Sequence, residues 1–355
     1  MSENDQLSET NLSIAYSGME GIPELRVSCV GETITVNRGG VASAGGDSPV
    51  LRAQWQPPRG LYGLTWDAAA HGRLRHAAVL AALSAVFADD RSGRAIRLDA
   101  GHAGGAGRHA ADWLRRCGVL TAGGWCLREA WAQQPDLWLT RAAPLPPAAL
   151  SYEMTGGIRH PRRAPYRDGV VYTREIPAFG HRFTLRTASI ESDLPLLHRW
   201  LNEPRVNVFW GEAGGIEAHR AYLERQLTSP HVHPLIGAFD DEPFGYFEAY
   251  WAKEDRISPF AEPGEHDRGL HMLVGATRWR GARCVAAWLP SLVHYLFLDD
   301  PRTQAVVCEP RHDNVRMIAY LREHGFAAVR PFDFPHKRAL LMRTLRESFF
   351  DARSI

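Results

Sequence analysis

The stretch RGLHMLVGATRWRGAR, residues 268–283, sets His271 inside an alternating, strand-like run and follows it with a basic turn that closes on Gly281. An imidazole gives or takes a proton close to neutrality, so a histidine on a strand is a candidate acid or base. A helix start offers backbone N–H groups that carry partial positive charge and lack intrahelical partners, which suits a pyrophosphate. Gly281 lets the chain turn and approach a ligand closely, Ala282 continues the turn, and Arg278, Arg280 and Arg283 can add charge-assisted contacts to phosphate oxygens. On residue types alone the bland alternatives stay open: a buried, hydrogen-bonded strand histidine and a solvated basic turn.

These residues need elements to position them. GHRFTLRTAS reads as a strand, and SDLPLLHRWLNE reads as an amphipathic helix capped by Ser192 or Asp193, with Leu196, Leu197, Trp200 and Leu201 on one face. PLIGAFDDEPFGYFEAYWA reads as a hairpin about an Asp-Asp-Glu-Pro turn. A helix from about Gly281 to Phe297, a strand QAVVCEP, a helix NVRMIAYLREHGF and a last strand through RALLMRTL complete this half. The Pro-, Gly- and Arg-rich residues 151–169 divide the chain. The expected domains are therefore 1–150, a linker 151–180, and 181–355.

An internal echo crosses that divide. VFADDRSGRAIRLDA (86–100) parallels LFLDDPRTQAVVCEP (296–310) at a constant spacing, aligning Phe87 with Phe297 and Asp99 with Glu309. Chance likeness of two amphipathic helix–strand units is the alternative to duplication. The first half has no counterpart of His271 or of the basic glycine turn, so the chemistry is expected in the second.

Composition bounds the partners. The chain has 355 residues, 45% hydrophobic and 23% charged, with a formal net charge of +1. A folded α/β protein fits, and a main role on nucleic acid does not, because no net positive field exists to gather a polyanion. Five scattered cysteines without CxxC spacing fit reduced thiols. The polar, acidic start and the lack of a long apolar run fit a cytoplasmic protein without membrane attachment. The histidines of HVH (231–233) and RHD (311–313) read as surface residues, and no metal site is expected.

The order of strand, basic glycine turn, helix, strand, Asn314, Tyr320 and the Gly325-Phe326 helix end resembles the GCN5-related N-acetyltransferase superfamily, whose RxxGxG/A turn holds the pyrophosphate of coenzyme A. Arg278 and Gly281 fall on that motif, whereas Arg283 stands where the family prefers a small residue. Within the superfamily, residues of about 165–345 are most similar to acyltransferases of hydroxamate siderophore biosynthesis, of the aerobactin, alcaligin and mycobactin types. The segments that carry this are DLPLLHRWLNEPRVNVFW, PFGYFEAYWAKEDRI, DRGLHMLVG, FLDDPRT and EPRHDNVRMIAYLREHGF. The resemblance implies tandem α/β halves with a mixed, mostly antiparallel sheet and splayed strands, the N-terminal half degenerate.

It also implies roles. His271 becomes the general base, with Glu309 orienting it or receiving its proton, and backbone N–H groups near Leu273 and Val274 stabilising an oxyanion. Asn314 would meet the pantetheine arm, though an N-cap explains it as well, and Tyr320 would act as general acid, though a core tyrosine is equally consistent. Trp210, Glu248, Trp251 and Asp255 are the candidates for contacts to an acceptor amine, against the alternative that the aromatics are core. The implied reaction moves an acetyl or succinyl group from acyl-CoA, a cosubstrate and not a resident cofactor, to the hydroxylamino nitrogen of an N-hydroxylated diamine or diamino acid, with a siderophore synthetase as a further partner. Acylation of an ordinary amine and a non-catalytic CoA-binding subunit are the competing readings.

Overall fold

The computed structural model describes residues 12–16, 21–39, 49–56, 61–66, 72–89, 94–99, 104–141, 151–352 and 355. The chain forms two compact units that divide after residue 142.

The first unit runs β1 (Leu12–Tyr16), β2 (Leu25–Val30), β3 (Thr33–Arg38), β4 (Leu51–Gln56), β5 (Leu61–Trp66), α1 (Gly72–Asp89), β6 (Ala95–Asp99), α2 (Gly104–Arg116), β7 (Trp125–Leu127) and α3 (Arg128–Ala132). Its strands lie in chain order, antiparallel except for the β5–β6 pair.

The second unit opens with the hairpin β8 (Tyr152–Thr155) and β9 (Ile158–Pro161), then β10 (Val170–Ile176), β11 (His181–Thr187), α4 (Ile190–Leu201), α5 (Pro204–Trp210) and α6 (Ile216–Thr228). It continues through β12 (Val232–Phe239), β13 (Glu242–Trp251), α7 (Ser258–Ala261), β14 (Arg268–Val274), α8 (Ala282–Asp299), β15 (Ala305–Cys308), α9 (Val315–Glu323), β16 (Ala327–Phe334), β17 (Lys337–Leu345) and α10 (Arg346–Ala352). Its eight-stranded sheet has the order β10-β11-β12-β13-β14-β15-β17-β16. The β14–β15 pair is parallel and is registered at only two positions, Arg268 with Val306 and Gly269 with Val307. Beyond Gly269 the two strands part, which makes the gap that the site occupies.

Period-two alternation sorts β13 between two faces. Tyr246, Glu248 and Tyr250 share one face, on which Tyr246 and Leu273 join Leu197, Trp200, Tyr222, Leu223 and Ile236 in an apolar cluster with α4, α5 and α6, while Tyr250 packs with Val232, Ile257, Phe332 and Phe334. Phe247 faces the other way, its ring 5.3 Å from that of Trp288 on α8. α8 is buried almost all round, as expected of a helix whose sequence is apolar on every side.

The structure repeats the internal echo. α1 and α8 sit 210 residues apart, and each is followed by a strand parallel to the one before it. Arg128 donates to the Phe87 carbonyl, and Arg346 donates to that of Phe297, both at 2.8 Å. The first unit pairs Gly63 with Asp99, the residue that the echo aligns with Glu309.

Two expectations need correction. Residues 151–180, expected as a linker, hold β8, β9 and β10, because Gly156 and Gly157 supply the positive φ angles of a hairpin turn. This segment is pinned: Arg163 grips Glu254 with two hydrogen bonds of 2.5 and 2.8 Å, and Tyr152 donates to Glu265 at 2.8 Å. The cap of α4 is Ser189, three residues before Ser192 and four before Asp193, the two expected positions. Asp193 instead receives the Ser189 N–H and two bonds from Arg186 of 2.7 and 2.6 Å.

Candidate functional site

His271 is held on both ring nitrogens. The β13–β14 register sets Glu248 directly beside it, and Nδ1 lies 2.8 Å from Glu248 Oε2. Across the gap between β14 and β15, Nε2 lies 2.8 Å from Glu309 Oε1. Each carboxylate is in turn satisfied. Tyr222 and Tyr246 donate to Glu248, and Tyr250 donates to Glu309 at 2.9 Å. The Trp210 ring meets the imidazole edge-on with centroids 6.3 Å apart.

This arrangement overturns one premise of the sequence reading, that His271 titrates near neutrality. Burial alone would lower its pKa, but the Glu309 charge and the hydrogen bonds to Glu248 and Glu309 outweigh burial and push it to about 10. Burial would likewise raise Glu309, yet His271 and Lys337 hold it down at about 2. Glu248 is also lowered against its burial, by His271, Tyr222 and Tyr246. The resting group is therefore an imidazolium between two carboxylates.

Glu248 and Trp251, expected at the acceptor, do other work. Glu248 is buried with its lone pairs taken by His271, Tyr222 and Tyr246. Trp251 points to the opposite face of β13, where the guanidinium carbons of Arg163 and Arg268 each lie 4.2 Å from its ring centroid. Asp255 is buried and accepts the Ile257 N–H at 3.0 Å. Its pKa is raised chiefly by burial, with the His271 charge opposing.

The backbone edge also differs from expectation. The Gly275 N–H donates to Phe244, and in an antiparallel pair the peptide groups alternate in direction. The peptides of His271 and Leu273 therefore face β13, while those of Met272 and Val274 face outward. Arg205 accordingly reaches the Val274 carbonyl at 2.9 Å and also binds that of Gly275. Of the two residues expected to give oxyanion donors, Val274 has its N–H on the open edge and Leu273 does not, whereas Met272 does.

At the turn, Gly281 has φ +106° and N-caps α8. The N–H groups at the start of α8 lack intrahelical partners. Arg283 is turned away, donating to the Phe179 carbonyl at 3.2 Å, so it does not crowd this backbone. Arg278 is exposed and pairs with Glu242 at 2.9 Å. Arg280 is exposed, and its charge acts after burial to lower the pKa of Arg205. Asn314 is an N-cap, accepting the Met317 N–H. The Tyr320 hydroxyl is held by Arg316 at 3.1 Å.

His233, read as a surface residue, is buried, stacks on Tyr166 and bonds Thr187 at 2.8 Å. Among the described residues no group of three or more His, Cys, Asp or Glu could hold a metal, and no helix is long and apolar enough to cross a membrane.

Residues 189–334 match a family described as the acetyltransferase (GNAT) domain. The N(6)-hydroxylysine O-acetyltransferase of Escherichia coli is 44% identical over 223 residues, which are 63% of this chain and 70% of that one. This chain belongs to the GNAT acetyltransferase family. The N(5)-hydroxyornithine:cis-anhydromevalonyl coenzyme A-N(5)-transacylase of Beauveria bassiana is 43% identical over 195 residues, 54% of this GNAT chain and 43% of that relative. The crystal structure of an uncharacterized Bacillus halodurans protein is 26% identical with a TM-score of 0.50, covering 52% of this GNAT chain and 95% of that one.

The sequence reading missed Tyr222, Tyr246, Lys337, Arg205 and Gly269. For Tyr246 a signal existed: Tyr246-x-Glu248-x-Tyr250 has the period of a single strand face.

Proposed function

We propose that the chain transfers an acyl group from acyl-CoA to the hydroxylamino nitrogen of an N-hydroxylated diamine or diamino acid, giving a hydroxamate. The observation that carries this is His271 bridging Glu248 and Glu309 in the gap between β14 and β15, next in sequence to the bare start of α8. Relatives named for hydroxylysine and hydroxyornithine support the acceptor class.

Pyrophosphate oxygens take the N–H groups at Gly281 and Ala282, with Arg280 and Arg205 alongside. The thioester carbonyl lies in the gap, and the outward N–H groups of Met272 and Val274 stabilise its oxyanion. The hydroxylamino nitrogen attacks the carbonyl carbon, a C–N bond forms, and the nitrogen's proton passes to the neutral form of His271, the minor form at neutral pH, which keeps its other N–H on a carboxylate. Collapse breaks the C–S bond, and the thiolate leaves with a proton from Tyr320. Trp210 and Asp255 line the acceptor side. We place the reaction in the cytoplasm, where acyl-CoA is available, and its hydroxamate product serves a siderophore synthetase.

The test measures CoA release from acetyl-CoA and succinyl-CoA with N-hydroxylysine, N-hydroxyornithine, N-hydroxyputrescine and N-hydroxycadaverine. A ferric-binding product marks acylation at nitrogen, since a hydroxamate offers iron two hard oxygens. Failure of every pairing, or preference for the plain amines, rejects the reading.

A further inference from the structure

The candidate substrates differ in one respect that the site can read: some carry a carboxylate away from the reacting atoms and some do not. Two cations stand beside the His271 triad. Arg256 Nη2 lies 3.9 Å from Glu309 Oε1, the oxygen that meets His271 Nε2 at 2.8 Å, and Lys337 Nζ lies 3.7 Å from the same oxygen. Both sit over the ring of Phe334, at 5.3 and 5.5 Å from its centroid.

The two are held differently. Lys337 donates to the Glu309 carbonyl at 2.9 Å and its side chain is only 17% exposed. Arg256 is 52% exposed and makes no hydrogen bond among the described residues. Glu309 does not depend on it, because His271, Tyr250 and Lys337 already meet that carboxylate. A guanidinium is a rigid fork of donors that matches a carboxylate in bidentate fashion, and one that makes only a 3.9 Å ion pair and a ring contact keeps its donors for a substrate anion. Glu248, Asp255 and Glu309 would repel such an anion elsewhere in the site, so Arg256, backed by Lys337, is where it can be received.

We propose that Arg256 binds a substrate carboxylate and thereby sets specificity toward the substrate that carries one. This rests on the acyl-transfer reading above. The carboxylate has two sources, an amino-acid acceptor such as N-hydroxylysine or a dicarboxylic acyl donor such as succinyl-CoA.

The experiment compares kcat/KM for N-hydroxylysine and N-hydroxycadaverine, which differ only by the carboxylate, each with acetyl-CoA and with succinyl-CoA, in the wild type, Arg256→Gln and Arg256→Lys. The wild type is expected to favour the carboxylate-bearing partner by about tenfold or more, through KM, as one charge-assisted contact predicts. Arg256→Gln brings that ratio toward one, and Arg256→Lys keeps part of it. Collapse in the acceptor comparison assigns the carboxylate to the acceptor, and collapse in the donor comparison assigns it to the acyl group. A wild type without a carboxylate preference, a preference that survives in Arg256→Gln, or an equal loss of kcat for every pairing overturns the proposal. Calorimetric titration with L-lysine and with cadaverine reads the acceptor contact without turnover. Equal affinities, with no donor preference, sink it, whereas absence of turnover with a clear L-lysine preference sinks only the acyl-transfer reading.

Discussion

The ring of Tyr250 lies across Gly269, so closely that a Cβ on residue 269 would stand 1.9 Å from Tyr250 Cε2. From there the hydroxyl reaches Glu309 and the ring packs 4.7 Å from that of His271. The glycine is thus part of the site, because it leaves room for the Tyr250 ring.

Gly269→Ala is expected to displace Tyr250 and release its bond to Glu309. Overpacking of this kind costs about 1–3 kcal/mol. Thermal melting should show the loss, and Tyr250→Phe, which removes only the hydroxyl, should melt closer to the wild type. Equal melting temperatures for Gly269→Ala and the wild type would show that the ring is not confined there.

The pH–rate profile reports the state of His271. Because its pKa is raised to about 10, the neutral base becomes more abundant as pH rises, and kcat/KM should climb well beyond neutrality. Glu309→Gln removes the charge that contributes most to raising it, so the rising limb should move to lower pH. His271→Ala should lose about 10²-fold or more in turnover while acyl-CoA affinity is retained. A wild-type profile that levels off near pH 6.5 would contradict the paired geometry.

Stability should run the other way with pH. His271 is raised from 6.5, so its contribution is complete below that value and is lost as pH climbs toward about 10. Glu309 is lowered from 4.5, so its contribution is complete above that value and is lost as pH falls toward about 2. Melting temperature should therefore peak between these ordinary values, and His271→Gln should flatten the alkaline decline. The same contact links both groups, so their contributions count once.

Gly281→Ala tests the anion turn. At φ +106° an alanine is strained by about 1–3 kcal/mol. The variant should raise KM for acyl-CoA and leave KM for the acceptor nearly unchanged. A rise in acceptor KM alone would remove the turn from the donor site.

The sequence by itself determined many of the second unit's elements, though not β8, β9 and β10. Apolar periodicity marked α4, α8 and α9, the Asp240-Asp241 turn marked the β12–β13 hairpin, His271 stood out by residue type and position, and the family resemblance pointed to Glu309. These are local signals, legible over a few residues. Only the tertiary structure decided what depends on register: Glu248 is set against His271 and not against an acceptor, Trp251 is sent to the far face, and the N–H of Met272, not that of Leu273, faces the open edge. The charge on His271 followed for the same reason, since a pKa is fixed by which carboxylates fold within hydrogen-bonding distance, here from residues 23 positions before it and 38 after.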